Sequence, residues 1–176
     1  MRFSVVAALS LTLLHSGALA QEARPIFEDF VPEPERLDFI DGERMERVYA
    51  GRTVRGVYRA LQGSERALQT FVETMTEDGV ADYSDARGER TGRWFRRGDR
   101  LCFEYSDAPG RQSCFYDYRY GDCLVGFSPD AVNPLTREPL HPGLWAAVMQ
   151  YVPDDYTWPE DDGSDRAPFS CELPSV

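Results

Sequence analysis

The stretch LCFEYSDAPGRQSCFYDY, residues 101–118, decides the fold. Two runs of aromatic and strand-forming residues, Leu101–Ser106 and Ser113–Tyr118, flank Asp107–Arg111, whose Ala-Pro-Gly centre marks a tight turn. Folding back about Ala108 sets Cys102 opposite Cys114 on neighbouring strands. Opposed residues in a non-hydrogen-bonded antiparallel pair have Cα atoms ~4.5 Å apart, within disulfide reach. The same arithmetic about Gly98-Asp99 brings a preceding run, Gly92–Arg96, alongside, with Trp94 facing Phe103.

The pattern continues outward on both sides. Thr53–Tyr58, Thr70–Met75 and Val80–Ser84 precede it, with a turn at Asp78-Gly79. Cys123–Phe127 follows across Tyr120-Gly121. Seven strands joined mostly by hairpins make a mainly β chain, an antiparallel meander. Such a meander curls into a small barrel or half-barrel, because closure removes exposed edges. About Tyr120-Gly121, Cys123 is expected to face Tyr118 and Cys114 to face Phe127. That places Cys114 and Cys123 over ~13 Å apart along the strand, too far to bond. The pairs are therefore Cys102–Cys114 and Cys123–Cys171.

Residues 1–20 read as a secretory signal: Arg2, an apolar core Val5–Leu14, and Ala18-Leu19-Ala20 before the cut. Residues 21–40, with Pro25, Pro32 and Pro34, form an extended arm anchored by Phe27, Phe30 and Phe39. The single β-rich domain is 41–176, with its meander core at 51–127 and a loop, helix and acidic tail over 128–176. Asp41 caps a short helix with Met45, Val48 and Tyr49 on one face and Gly51 past its end. After a Pro-punctuated loop, Ser128–His141, a second helix is expected from Pro142 to about Val152. Leu144, Trp145, Val148 and Tyr151 or Val152 would form its packing stripe. An acidic loop occupies 153–170.

Composition narrows function. All nineteen basic residues are Arg and there is no Lys, which excludes Schiff-base chemistry and a P-loop lysine. Cleavage after Ala20 would leave 18 Arg against 30 carboxylates, a net charge of −12. That balance argues against nucleic acid as a partner. His15 leaves with the signal, so His141 is the one mature histidine and reads as an exposed loop residue. No apolar run after the signal approaches the ~20 residues a membrane span needs. Four Cys with an export signal read as two structural disulfides, and no C-x-x-C suggests redox work.

Arg87, Arg90, Arg93, Arg96, Arg97 and Arg100 crowd one hairpin. They form an anion-binding candidate, or else a solvated face balancing the acidic tail. Trp94, Phe103, Tyr105, Tyr116 and Tyr118 are the candidates for the barrel interior, which is expected to be filled by its own side chains. Glu73 and Glu104 lie within strands and read as outward-facing. Glu160–Asp165 offers oxygen ligands without the spacing of a calcium loop. No metal, cofactor or catalytic constellation is assembled.

The set Gly51-Arg52-Thr53, Asp78-Gly79, Gly92-Arg93-Trp94, Leu101-Cys102 and Ser113-Cys114 resembles a loose group of small exported bacterial proteins with a G-x-T … DG … G-x-W … LC … C pattern. The resemblance spans about 51–127 and implies a lipocalin-like or half-barrel fold, with no catalytic residue to carry over. Cys123, Cys171 and the 128–152 segment look like additions to it. The expected function is that of a non-enzymatic periplasmic or secreted protein binding a small molecule or an envelope protein or polymer. The alternative is a protein inhibitor of a secreted or periplasmic hydrolase, of the lysozyme-inhibitor kind; the negative charge would favour a basic partner.

Overall fold

A computed structural model describes residues 30–59, 69–152 and 171. The signal segment, the arm up to residue 29 and the acidic loop at 153–170 lie outside the described residues. The described residues form a closed eight-stranded antiparallel barrel with one α-helix. A short strand β1 (Asp38–Phe39) precedes α1 (Gly42–Tyr49). The barrel follows as β2 (Arg52–Tyr58), β3 (Gln69–Met75), β4 (Val80–Asp85), β5 (Gly88–Arg97), β6 (Arg100–Tyr105), β7 (Ser113–Tyr120), β8 (Cys123–Phe127) and β9 (Ala147–Tyr151). Each strand from β2 to β9 pairs with the next, and β9 returns to pair with β2. β1 lies on β7, with Asp38 opposite Arg119 and Phe39 opposite Tyr118.

The hairpins have the expected registers at β5–β6 and β6–β7. Trp94 faces Phe103, and Cys102 faces Cys114. Gly98 turns β5 into β6 at φ 61°, a region that a side chain disfavours. Both disulfides form: Cys102–Cys114 with Cα atoms 4.1 Å apart, and Cys123–Cys171 at 5.3 Å. The β7–β8 register is two residues from expectation. Cys123 faces Tyr120 and Phe127 faces Tyr116, because the turn is Gly121-Asp122 with Gly121 at φ 60°. A shift of two preserves which face each side chain takes.

The expected second helix is absent. Pro142–Leu144 is a single 3-10 turn, and the chain then runs extended as β9. Val148 and Tyr151, three positions apart, would share one face of a helix, but in a strand they take opposite faces, Val148 in the outer cluster and Tyr151 against the inner one. Closure decides between them. β9 pairs with β2 from Val54↔Tyr151 to Tyr58↔Ala147, and with β8 from Cys123↔Gln150 to Gly126↔Ala147. A helix there would have left both edges with unpaired N–H and C=O groups.

Two apolar clusters result. The inner one fills the barrel with Val54, Phe71, Met75, Tyr83, Trp94, Leu101, Phe103, Leu124 and Met149. Met45, Val48 and Tyr49 of α1 and Ile40 pack against them. α1 starts where expected: Asp41 Oδ1 accepts from the Glu43 and Arg44 amides at 3.0 and 2.9 Å. It packs tightly on the β5–β6 turn, where a Cβ on Gly42 would sit 2.6 Å from the Gly98 carbonyl oxygen. The outer cluster covers β7, β8 and β9. Tyr116, Tyr118, Tyr120, Val125, Phe127 and Val148 lie beneath Val132 and Trp145, with Phe30, Leu37 and Phe39 of the arm over them. Trp145 Nε1 donates to the Phe30 carbonyl at 2.8 Å.

Candidate functional site

The five aromatics expected inside the barrel divide between the clusters. Trp94, Phe103 and Tyr105 belong to the inner one, while Tyr116 and Tyr118 lie in the outer one. The correction follows from β7. Its inward positions are Phe115 and Asp117, so the two tyrosines must face out, where the arm and the 128–145 segment bury them.

Glu73 is also corrected. It shares its face of β3 with Phe71 and Met75, and it is buried, 1% exposed. Asp117 of β7 is equally buried. Both border one cavity of about 10 Å³ together with Tyr58, Leu101, Phe103, Phe115, Gly126, Ala147 and Met149. Measured as space for the centre of a water-sized sphere, that is room for about one water. The glycine at 126 makes the space for Asp117, since a Cβ there would lie 2.8 Å from Asp117 Oδ1.

Burial dominates the electrostatics of this pair. Removing a carboxylate from water disfavours its charged form. Glu73 is pushed up to about 8, although the Tyr105 hydroxyl donates to its Oε1 and Arg90 opposes the shift. Asp117 is pushed up to about 7. Tyr49 of α1 lies near enough to lower Asp117 somewhat. Even so, neither Asp117 oxygen nor the Tyr49 hydroxyl makes a hydrogen bond of ordinary geometry. Orphaned buried polar atoms are rare and costly in native proteins.

Beside Glu73 the barrel is ringed by aromatics. Tyr58 stacks on Phe71 at 4.4 Å and Phe71 on Tyr83 at 5.6 Å, and Tyr83 meets Tyr105 edge-on at 5.6 Å. The Arg90 guanidinium lies 4.4 Å from the Tyr83 ring centre and 5.5 Å from that of Tyr105. It also pairs with Asp85 at 2.9 Å and Asp107 at 3.5 Å. Arg87 shares Asp85, and Arg93 pairs with Glu104 at 2.9 Å. Of the six hairpin arginines, Arg87, Arg90 and Arg93 thus meet carboxylates of the meander itself. Arg96 lies against Gly42 of α1.

Outside the barrel, sequence reasoning passed over the turn at Asn133–Glu138. It is fixed at every level. Val132 bridges Pro139, and the Asn133 amide donates to the Glu138 carbonyl at 2.9 Å. Asn133 Oδ1 accepts from the Leu135 and Thr136 amides at 2.9 and 3.3 Å. Arg137, at φ 61°, ties the turn down: its guanidinium holds Asp99 at 3.0 Å and lies over the Tyr116 ring. Its carbonyl accepts from the Tyr118 hydroxyl. At the centre of this turn Leu135 is 91% exposed. Leu140 and Leu144 on the same segment, and Val31 against Gly143, are exposed too. These four are the exposed large apolar side chains among the described residues. The signal available in the sequence was Asn133-Pro134, a turn initiator, followed by an unexplained Leu.

Among the described residues no group of three or more His, Cys, Asp or Glu is placed to hold a metal ion. No helix among them is long and apolar enough to cross a membrane. His141 is exposed, ahead of the 3-10 turn. The acidic run at 160–165 lies outside the described residues. No family model matches the chain, and neither a curated protein nor a solved structure is similar to it.

Proposed function

We propose that this is a non-enzymatic protein of the periplasm, exported and cleaved after Ala20, that binds another envelope component through its outer surface. The partner is a protein or polymer, and the Asn133–Glu138 turn is the leading contact. The observation that carries the reading is Leu135. A large apolar side chain 91% exposed on a turn held by Asn133, Asp99, Tyr116 and Tyr118 is already ordered before it meets a partner. Preorganisation lowers the entropic cost of docking. Exposed apolar side chains gathered on one segment are a common mark of interaction surfaces.

The inner chamber gives less support to a small-molecule ligand. Ligand pockets run to roughly 300–1,000 Å³, against about 10 Å³ between Glu73 and Asp117. Two disulfides support an oxidising compartment.

Inhibition of a hydrolase is the narrower form of the same reading. An exposed, preset Leu135 suits insertion into an apolar pocket, and the net charge of −12 left after cleavage attracts a basic enzyme. The folded turn would plug a cleft rather than mimic an extended substrate. The test is a titration of basic lysozyme-type hydrolases and of peptidoglycan with the purified protein and with Leu135→Asp. Binding or inhibition by the parent, weakened at least ~100-fold in Leu135→Asp, is expected for a central apolar anchor. Equal behaviour of the two proteins would remove the turn from the interface. No interaction with any of these probes at micromolar protein would overturn the inhibitor form.

A further inference from the structure

We propose that the buried carboxyl pair makes α1 a proton-controlled plug. With Asp117 and Glu73 protonated the helix seats on the barrel, and loss of their protons drives it off its seat.

The geometry converges on α1. The helix closes its end of the barrel with Met45, Val48 and Tyr49, all buried. The Tyr49 hydroxyl and both Asp117 oxygens are buried side by side, with no hydrogen bond of ordinary geometry to any of them. The chain leading into the helix is tied to the same place on β7: the Ile40 amide donates to the Asp117 carbonyl at 2.9 Å, and Phe39 pairs with Tyr118. The far end of the helix is held by the Tyr151 hydroxyl on the Val48 carbonyl at 2.8 Å. Its start is held by Asp99 on the Gly42 amide at 3.3 Å. Apart from the short β1–β7 pairing these anchors are single hydrogen bonds, and α1 lies outside the β2–β9 ladder, so it can lift from its end of the barrel without breaking that ladder.

The surrounding groups leave an ionised pair with little to stabilise it. Tyr49 faces Asp117 from α1. Tyr58 from β2, Tyr83 from β4 and Tyr105 from β6 lie by Glu73, and Tyr151 of β9 lies by Tyr49. Among the described residues the cation acting on the pair is Arg90 of β5, which reaches Glu73 and is already shared between Asp85 and Asp107. Glu73 and Asp117 repel one another when charged. An anion appearing here must therefore gain water, and the shortest way to admit it is to lift Tyr49. The pair releases its protons around pH 7 to 8, as burial dictates.

The test is amide hydrogen exchange on the intact protein at about pH 5 and about pH 9, corrected for intrinsic rates. The Gly42–Tyr49 amides are expected to lose at least ~10-fold protection at the higher pH, while the β2–β3 and β5–β6 ladders keep theirs. Asp117→Asn, close to isosteric and uncharged, should abolish most of that selective loss. Tyr49→Phe, which keeps the plug but removes its hydroxyl, should retain it. Three results would overturn the proposal: equal protection of α1 at both pH values, an equal loss in Asp117→Asn, or a loss shared by every strand.

Discussion

Glu73 and Glu104 are both glutamates carried on strands of the same barrel, and they live under opposite rules. Glu73 points inward from β3, and burial pushes it up to about 8. Glu104 points outward from β6. It accepts from Arg93 Nη2 at 2.9 Å, Gln112 Nε2 at 3.0 Å and the Gly110 amide at 3.1 Å, which pull it down to about 2. One wall separates a face that penalises charge from one that rewards it. The inner face carries the unsatisfied atoms of Asp117 and Tyr49. In the outer layer the Trp145 indole donates to the Phe30 carbonyl and the Tyr118 hydroxyl to the Arg137 carbonyl.

The largest expected effect breaks the inner side of this contrast. Below about pH 4.5 Glu73 is protonated whether the chain is folded or not, so it adds no pH dependence. Between there and its folded value near 8 the native state keeps a proton that the unfolded chain has lost. Stability therefore falls as pH rises through this window and levels off above it. At about 1.4 kcal/mol per pKa unit the loss amounts to a few kcal/mol. Glu73→Gln should match the parent in acid and exceed it by that amount near pH 9, read from urea midpoints. A variant weaker than the parent at every pH would show that the carboxyl is needed for packing instead.

The disulfides test the outer side, and they should act without regard to pH. Cys123–Cys171 closes 48 residues and Cys102–Cys114 closes 12. In the chain-entropy picture their removal costs about 4 and about 3 kcal/mol. Cys→Ser pairs should lower the urea midpoint in that order and leave its slope against pH unchanged. A changed slope in either double variant would mean that the inner carboxyls respond to strain in the outer layer.

Local signals were the legible ones. Turn glycines and the Cys102–Cys114 spacing set two hairpin registers directly, because each joins residues a few positions apart. β9 was not legible, since its partner β2 lies some ninety positions earlier and only closure distinguishes a strand from a helix there. The inward face of Glu73 was written in the alternation Phe71, Glu73, Met75, but the ordinary rule that carboxylates face water outweighed it. On β7 the alternation is inverted, with Asp117 inside and Tyr116 and Tyr118 outside. Only the arm and the segment carrying Val132 and Trp145 reveal that the outside is buried too. The Leu135 turn had a visible initiator, yet its rigidity comes from Asp99, Tyr116 and Tyr118, none of which is its neighbour in sequence.

Glu104 gives the smallest effect and the sharpest sign. Its folded pKa lies below the unfolded value, so it adds stability above about pH 4.5 and loses it as pH falls toward 2, the reverse of Glu73. Glu104→Gln should therefore be slightly less stable than the parent at neutral pH, with the gap closing in acid and narrowing in high salt. The effect is small because the carboxylate fastens the Gly110 turn and Gln112 in a hairpin that Cys102–Cys114 already clamps. That overlap is itself measurable. With Cys102 and Cys114 both replaced by Ser, the same Glu104→Gln change should cost more, since the carboxylate then holds the turn without the disulfide. Simple additivity of the two changes would show that the side-chain hydrogen bonds and the disulfide restrain different parts of the hairpin.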